Sequence, residues 1–483
     1  MNLIVKKTIA LAMLLALPLL AKAQQPTSIL SRFDSPTPSA VIVRSADTNT
    51  VVTYGRHGTP SNPSHQFVVH DLASGQSREF YLGQTSLLGD YVSQVLDMRV
   101  LDGVCYFCGE YQKVVDRIDN LDGTHQYLTT PIGLVGWFKV QDVLDGSGDF
   151  HLLMVPEAAR LVRMTAFYGH GQELALIGDP SAGPQRTLMA RVLLTLNPTP
   201  TYWTEVLTED QNLELTDIWG GNSLLAVVMR YSSNLPDDHY RYAVSWNKTI
   251  PSPNTLNNLF VVNAPFAQGG SLREFGADLR LCGLSNSEIA VVYAGSRGAA
   301  FGYSAHRLSL STQDQLSMQE HQFVNLASAN SLGIEDVSFL PDKKLMPVSL
   351  ISAYGRTMLN WTMMYSTGNY TSSLISNGGI ELLSSDALGP HRVVAVGIDQ
   401  DEAPVLTIKK DSWLSSPGFN CLPVSESSGE IKPNIEPRFE VLSWNQLPRP
   451  RLTIISIPFR SSRVRHSVEC SLREPLPQIN ANE

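Results

Sequence analysis

Leu215-Thr-Asp-Ile-Trp-Gly-Gly-Asn-Ser-Leu-Leu-Ala-Val-Val-Met-Arg230 is the stretch that decides the fold. An aspartate sits in a short apolar lead-in, a Gly220-Gly-Asn-Ser223 cluster breaks the chain, and five apolar residues follow from Leu224 to Val228. Two short apolar runs separated by Gly and Asn read as a β-hairpin, because those residues adopt the backbone angles a tight turn requires.

The same shape returns around Asp97, Thr165, Asp278, Asp336 and Asp386. Five of the six copies carry the aspartate; the copy around Arg163–Gly171 has Thr165 near that place. Asp217, Asp278, Asp336 and Asp386 follow one another at intervals of 61, 58 and 50 residues. A period of that size belongs to blades or solenoid units. Further strand-like stretches lie between the copies, among them Leu188–Leu196, Tyr240–Trp246, Phe301–Leu310 and Met358–Tyr365. Several alternate polar and apolar residues, the period of a half-buried strand, and no long window shows helical spacing. Four strands per copy predict an all-β fold, a β-propeller of about seven four-stranded blades, with six as the alternative count. Val41–Arg44, Thr50–Tyr54 and Gln66–Asp71 supply at least part of one further blade. Phe439–Trp444 and Arg451–Ile457 are strands in a Pro-rich segment, expected to complete that N-terminal blade, so that N- and C-terminal strands close the ring.

Residues 1–23 read as a signal peptide, residues 24–411 as the propeller repeats, and residues 412–483 as a terminal segment whose strands complete the ring or form a small appended β module. Lys6 and Lys7 precede an apolar run from Thr8 to Leu20, and Ala21-Lys-Ala23 is a small-x-small cleavage site. Export to the periplasm, the cell surface or the medium follows, with Gln24 as the mature N-terminus. Cleavage removes three lysines and no acid, taking the net charge from −9 to −12. Such a chain repels nucleic-acid backbones. A late cluster, Arg449, Arg451, Arg460, Arg463, Arg465, His466 and Arg473, reads as the solvated face of one or two strands.

Residue types that carry chemistry are present without a constellation. Cys105-Tyr-Phe-Cys108 lies inside an apolar strand pattern instead of opening a helix, so it reads as two buried core thiols. His170 falls at a turn, and His65 and His70 are five apart on a strand and face opposite sides. The Asp116–Gly123 and Asp142–Asp149 stretches resemble calcium loops, but Ile118 and Val143 occupy ligand positions, and both fit hairpin turns better. No catalytic, cofactor-binding or metal-binding residue is assigned. The motifs G-x-S-x-G, the P-loop, H-E-x-x-H and the dinucleotide fingerprint are missing. Aspartates Asp97, Asp217, Asp278, Asp336 and Asp386, recurring at one point of each blade, are expected to accept loop N–H groups and tie blades together.

In general plan the repeats are similar to secreted, divergent propeller-like proteins of Gram-negative bacteria. The resemblance covers residues 40 to 410 as pattern and has no family-specific motif, so it assigns no functional residue. The expected function is an exported, non-catalytic propeller presenting loops to a protein or glycan partner. The alternatives are a polysaccharide-acting lyase or glycosidase with its site in the propeller funnel, and a structural part of a cell-envelope assembly. In an oxidising compartment the terminal cysteines Cys421 and Cys470 are the expected disulfide. Cys105 and Cys108, about 10 Å apart on one strand, are too far apart to bridge.

Overall fold

The computed structural model describes residues 28–471 apart from segments 34–40, 60–61, 83–89, 120–124, 169–171, 183–186, 195–200, 208–212, 222–223, 232–240, 248–257, 264–278, 298–299, 312–314, 327–331, 340–346, 354–355, 363–371, 377–380, 390–391, 399–403, 411–437, 442–443, 448–453 and 465. These residues form seven antiparallel sheets of four or five strands. We number the sheets I to VII along the chain by their first strands: Val41–Ser45, Tyr91–Leu101, Ala158–Tyr168, Leu213–Gly220, Leu279–Ser285, Leu332–Phe339 and Glu381–Ala387. Each first strand pairs with the next strand in sequence as a hairpin. The turn of sheet II is Asp102-Gly103, with φ of 50° and 71°. That left-handed pair suits the twist of the flanking strands.

The second strand of sheet IV is apolar on both faces because that sheet has a core on each side. Leu224 to Met229 are all buried, as are Val393 to Val396. One core lies between sheets I and II, where Phe67 and Phe80 stack with centroids 5.3 Å apart and Phe80 meets Phe138 edge-on at 4.9 Å. Others lie between II and III, III and IV, IV and V, and VII and I. Cys105 and Cys108 face opposite sides of their strand, Cys105 into the I–II core and Cys108 into the II–III core. Cys105, Cys108 and Cys282 are free, buried thiols. The first strands also touch in succession, and that of sheet VII touches that of sheet I. The arrangement is β-propeller-like.

The chain ends depart from the expectation that the terminal strands complete the N-terminal sheet. Ser28–Phe33 instead supplies the fourth strand of sheet VII, pairing with Pro404–Lys410. The C-terminal strands then add a fifth strand to five sheets in reverse order. Arg438–Val441 joins sheet IV, Trp444–Gln446 sheet III, Ile454–Arg460 sheet II, Ser462–Arg463 sheet I and His466–Ser471 sheet VII. This strap saturates outer edges that would otherwise present unpaired N–H and C=O groups. Its anchors are visible: Phe459 stacks on Phe80 at 4.3 Å, and Arg78 donates to Ser461 Oγ and O, both at 3.0 Å. Arg460 and Arg463 of the late basic cluster lie exposed on it.

A second correction is a short helix, Val140–Asp145, where the sequence reads as a hairpin turn over Asp142–Asp149. It ends at Gly146 with φ of 110°, the left-handed cap that glycine adopts without a Cβ clash. Six residues are too few to show helical periodicity, and the segment is held by burying Val140 and Val143. Residues 1–27, His170, Asp278, Cys421 and the hairpin tip at 120–124 lie outside the described residues, as does the side chain of Cys470. No helix among the described residues is long and apolar enough to cross a membrane.

Candidate functional site

Among the described residues the first strand of each sheet has one edge without a strand partner, so its backbone groups need other bonds. In sheets II, III, IV, VI and VII a β-bulge interrupts that strand just before Asp97, Arg163, Asp217, Asp336 and Ser384. A bulge re-aims the residue that follows it. Equivalence by register therefore gives Asp97, Arg163, Asp217, Arg280, Asp336 and Ser384 in sheets II to VII, with acid and guanidinium alternating from II to VI.

The aspartates bridge sheets through the backbone. Asp97 Oδ1 accepts its neighbour Met98 N–H at 2.8 Å, and Oδ2 accepts Met164 N–H of sheet III at 3.0 Å. Asp217 repeats this with Ile218 N–H at 2.9 Å and Leu281 N–H of sheet V at 2.8 Å. Asp336 accepts Val337 N–H at 3.0 Å and the Ser384 hydroxyl of sheet VII at 2.9 Å. Asp386 lies two residues beyond that register. It accepts Ala387 N–H at 2.9 Å, and Ser45 N–H and Oγ–H of sheet I at 2.8 and 3.0 Å. Thr165 occupies the Asp386 register and accepts Gly220 N–H of sheet IV at 2.9 Å. The recurring aspartates thus occupy two registers, not one.

Arginines take the carbonyls. Arg44, 4% exposed, donates Nε to Met98 O and Nη1 to Val43 O, both at 2.7 Å. Its Nη2 reaches Asp97 Oδ1 and its Nη1 reaches Asp336 Oδ2, both at 2.9 Å, so one guanidinium joins sheets I, II and VI. Arg99 Nη1 lies 3.1 Å from Met98 O and 3.3 Å from Asp97 Oδ1. Beside this cluster the Trp219 indole of sheet IV covers Gly283 of sheet V, where a Cβ would stand 1.9 Å from the ring. Glycine is required there by close approach.

Burial pushes the Asp336 carboxyl up, but Arg44, Arg99 and Arg163 outweigh it and bring it down to about 2. Asp97 is likewise held low, Arg99, Arg44 and Arg163 overcoming its burial. Burial prevails at Asp217, against Arg163 and Arg280, and at Asp386, against Arg44; both carboxyls are pushed above the ordinary range. Burial also raises the Cys282 thiol, with Asp217 and Asp386 adding to it, so it is no nucleophile at neutral pH.

The remaining candidates resolve simply. His65 is buried between the Tyr54 hydroxyl at 2.8 Å and Val92 O at 2.7 Å. His70 lies between Thr53 Oγ1 at 3.1 Å and Ser77 Oγ at 2.9 Å. Among the described residues no group of three His, Cys, Asp or Glu side chains has metal-ligand geometry. Sequence reasoning missed Arg44, Arg99, Arg163, Arg280 and Ser384. Asp97-Met-Arg99 and Asp278-Leu-Arg280 share a visible Asp-x-Arg spacing, a signal that could have found Arg99 and Arg280 but not Arg44, Arg163 or Ser384.

No protein family matches the chain, and no curated protein does. Among solved structures, polysaccharide lyase Uly1 is similar over 78% of this chain and 90% of its own, at 9% identity and a TM-score of 0.45. The β-propeller domain of Nup133 from Vanderwaltozyma polyspora is similar over 77% of this chain and 82% of its own, at 9% identity and a TM-score of 0.27.

Proposed function

We propose that the chain is an exported seven-bladed β-propeller, closed between sheets VII and I, that works without catalysis by presenting loops to a protein or glycan partner. One observation supports this above others. Both oxygens of Asp97, Asp217, Asp336 and Asp386 accept hydrogen bonds from backbone N–H groups or from the Arg44 and Ser384 side chains. A polysaccharide-cleaving site needs carboxylates, or a Tyr/His pair, converging on a substrate. Here the convergent carboxylates are spent joining sheets, which makes them structural ties. Such a scaffold leaves recognition to the loops between strands. Export through cleavage after Ala23 and a Cys421–Cys470 bridge belong to the same proposal; intact mass and non-reducing peptide mapping of the exported protein test them. The test of function is a glycan-array and protein-capture screen of the mature chain beside lyase and glycosidase assays. Saturable binding without turnover is expected. Turnover abolished by a single carboxylate substitution would overturn the reading.

A further inference from the structure

Among the described residues, one member of the alternating ring has a guanidinium that no hydrogen bond or ion pair engages. Arg163 sits in register with Asp97 and Asp217, between them in sheet order. It feels Asp97, Asp217 and Asp336 electrostatically, with Arg44 opposing. Its neighbours are nonetheless committed elsewhere: Asp97 to Met98, Met164, Arg44 and Arg99, and Asp217 to Ile218 and Leu281. Among the described residues no hydrogen bond or ion pair within 4.0 Å engages the Arg163 guanidinium, although Arg44, Arg99 and Arg280 each donate to backbone carbonyls. Arg163 is only partly buried, and Arg99, which reaches the same Asp97 that accepts the N–H of the adjoining Met164, keeps 29% of its side chain exposed. Five N–H donors in a planar fork, held against a rigid strand and spared from the tie network, suit a carboxylate, sulfate or phosphate offering two oxygens.

We propose that Arg163 is the anchor of an oxyanion-binding site at the junction of the first strands, with Arg99 as the second cationic wall. The proposal does not depend on the loop-presentation reading. Asp97 and Asp217 act on the guanidinium electrostatically and oppose an incoming anion, so free ions are expected to bind weakly. Discrimination lies in geometry, because a guanidinium pairs both tetrahedral and planar oxyanions while an ammonium acts as a point charge.

The test is calorimetric titration and thermal unfolding of the full mature chain with sodium phosphate, sulfate or acetate, against chloride at matched ionic strength. The wild type should show saturable binding and a rise in Tm. Ranking phosphate and sulfate against acetate separates tetrahedral from carboxylate recognition. Arg163→Gln should bind at least about tenfold more weakly, the worth of one charge-assisted contact. Arg160→Gln, which removes an exposed pair with Asp179, should bind as the wild type does. If Arg163→Gln fails to fold, Arg163→Lys, which keeps the charge but loses the fork, should still weaken binding. The proposal falls if the wild type shows no saturable response, if only chloride-like screening appears, or if folded Arg163 variants bind as tightly as the wild type.

Discussion

Asp97 and Asp336 share the Arg44 guanidinium, whereas Asp217 and Asp386 accept only backbone N–H groups and one serine hydroxyl. All four join one sheet to the next, yet the first pair is held acidic and the second pushed toward protonation. The difference shows that a carboxylate can be an effective tie without being a comfortable anion. Burial costs the charge of each, and only a guanidinium within 3 Å repays that cost in full.

Removing the guanidinium should break the comparison outright. Arg44→Met leaves Asp97 and Asp336 buried without their shared cation and strips donors from Met98 O and Val43 O. Losing one partner of a buried pair costs about 3–5 kcal/mol, and we expect a loss of that size in urea unfolding monitored by far-UV circular dichroism. A loss below about 1 kcal/mol would show that the aspartates relax or protonate instead.

The second largest effect should come with a sign. Asp336 has a folded value of about 2 against an ordinary 3.8. Its stabilisation is therefore complete above the ordinary carboxylate range and is lost as the pH falls toward 2. The linkage is worth about 2 kcal/mol. Asp336→Asn should be destabilised by that order at pH 7, with the deficit shrinking as both proteins are titrated below pH 4. Equal deficits at pH 7 and pH 3 would remove Arg44 as the cause.

Much of this fold was legible because hairpins are local. Asp102-Gly103 and the apolar run from Leu224 to Val228 each announce their structure within a few residues. The strap was not legible in its pairing, because Ile457 meets Phe150 and Ser28 meets Ser471, partners that no local pattern connects. The tie network was half visible. The aspartates recur in the sequence, but bulges placed one residue ahead of Asp97, Arg163 and Ser384 shift the register, so Arg163 stands level with Asp97 while Thr165 stands level with Asp386. Arg44 lies on a first strand that carries no aspartate, and its role across sheets II and VI exists only once those sheets are brought together.

The smallest effect is expected at Asp386, and it sharpens the comparison most. Asn at this position keeps one acceptor oxygen and turns an NH2 toward either Ala387 N–H or the Ser45 donors, losing about one hydrogen bond. It also removes a carboxylate that burial disfavours and that forms no ion pair among the described residues. The two terms oppose each other, so Asp386→Asn should cost no more than about 1 kcal/mol at pH 7. Its pH dependence should run opposite to that of Asp336→Asn. A carboxyl whose folded value is raised binds its proton more tightly in the native state, so the wild type gains stability from this group as the pH falls through that value. The asparagine variant forgoes the gain, and its deficit should grow on acidification while that of Asp336→Asn shrinks. Urea unfolding of both variants and the wild type at pH 7, 5 and 3 reads the two slopes directly. Slopes of the same sign would mean that the Arg44 pairing does not separate the two kinds of aspartate.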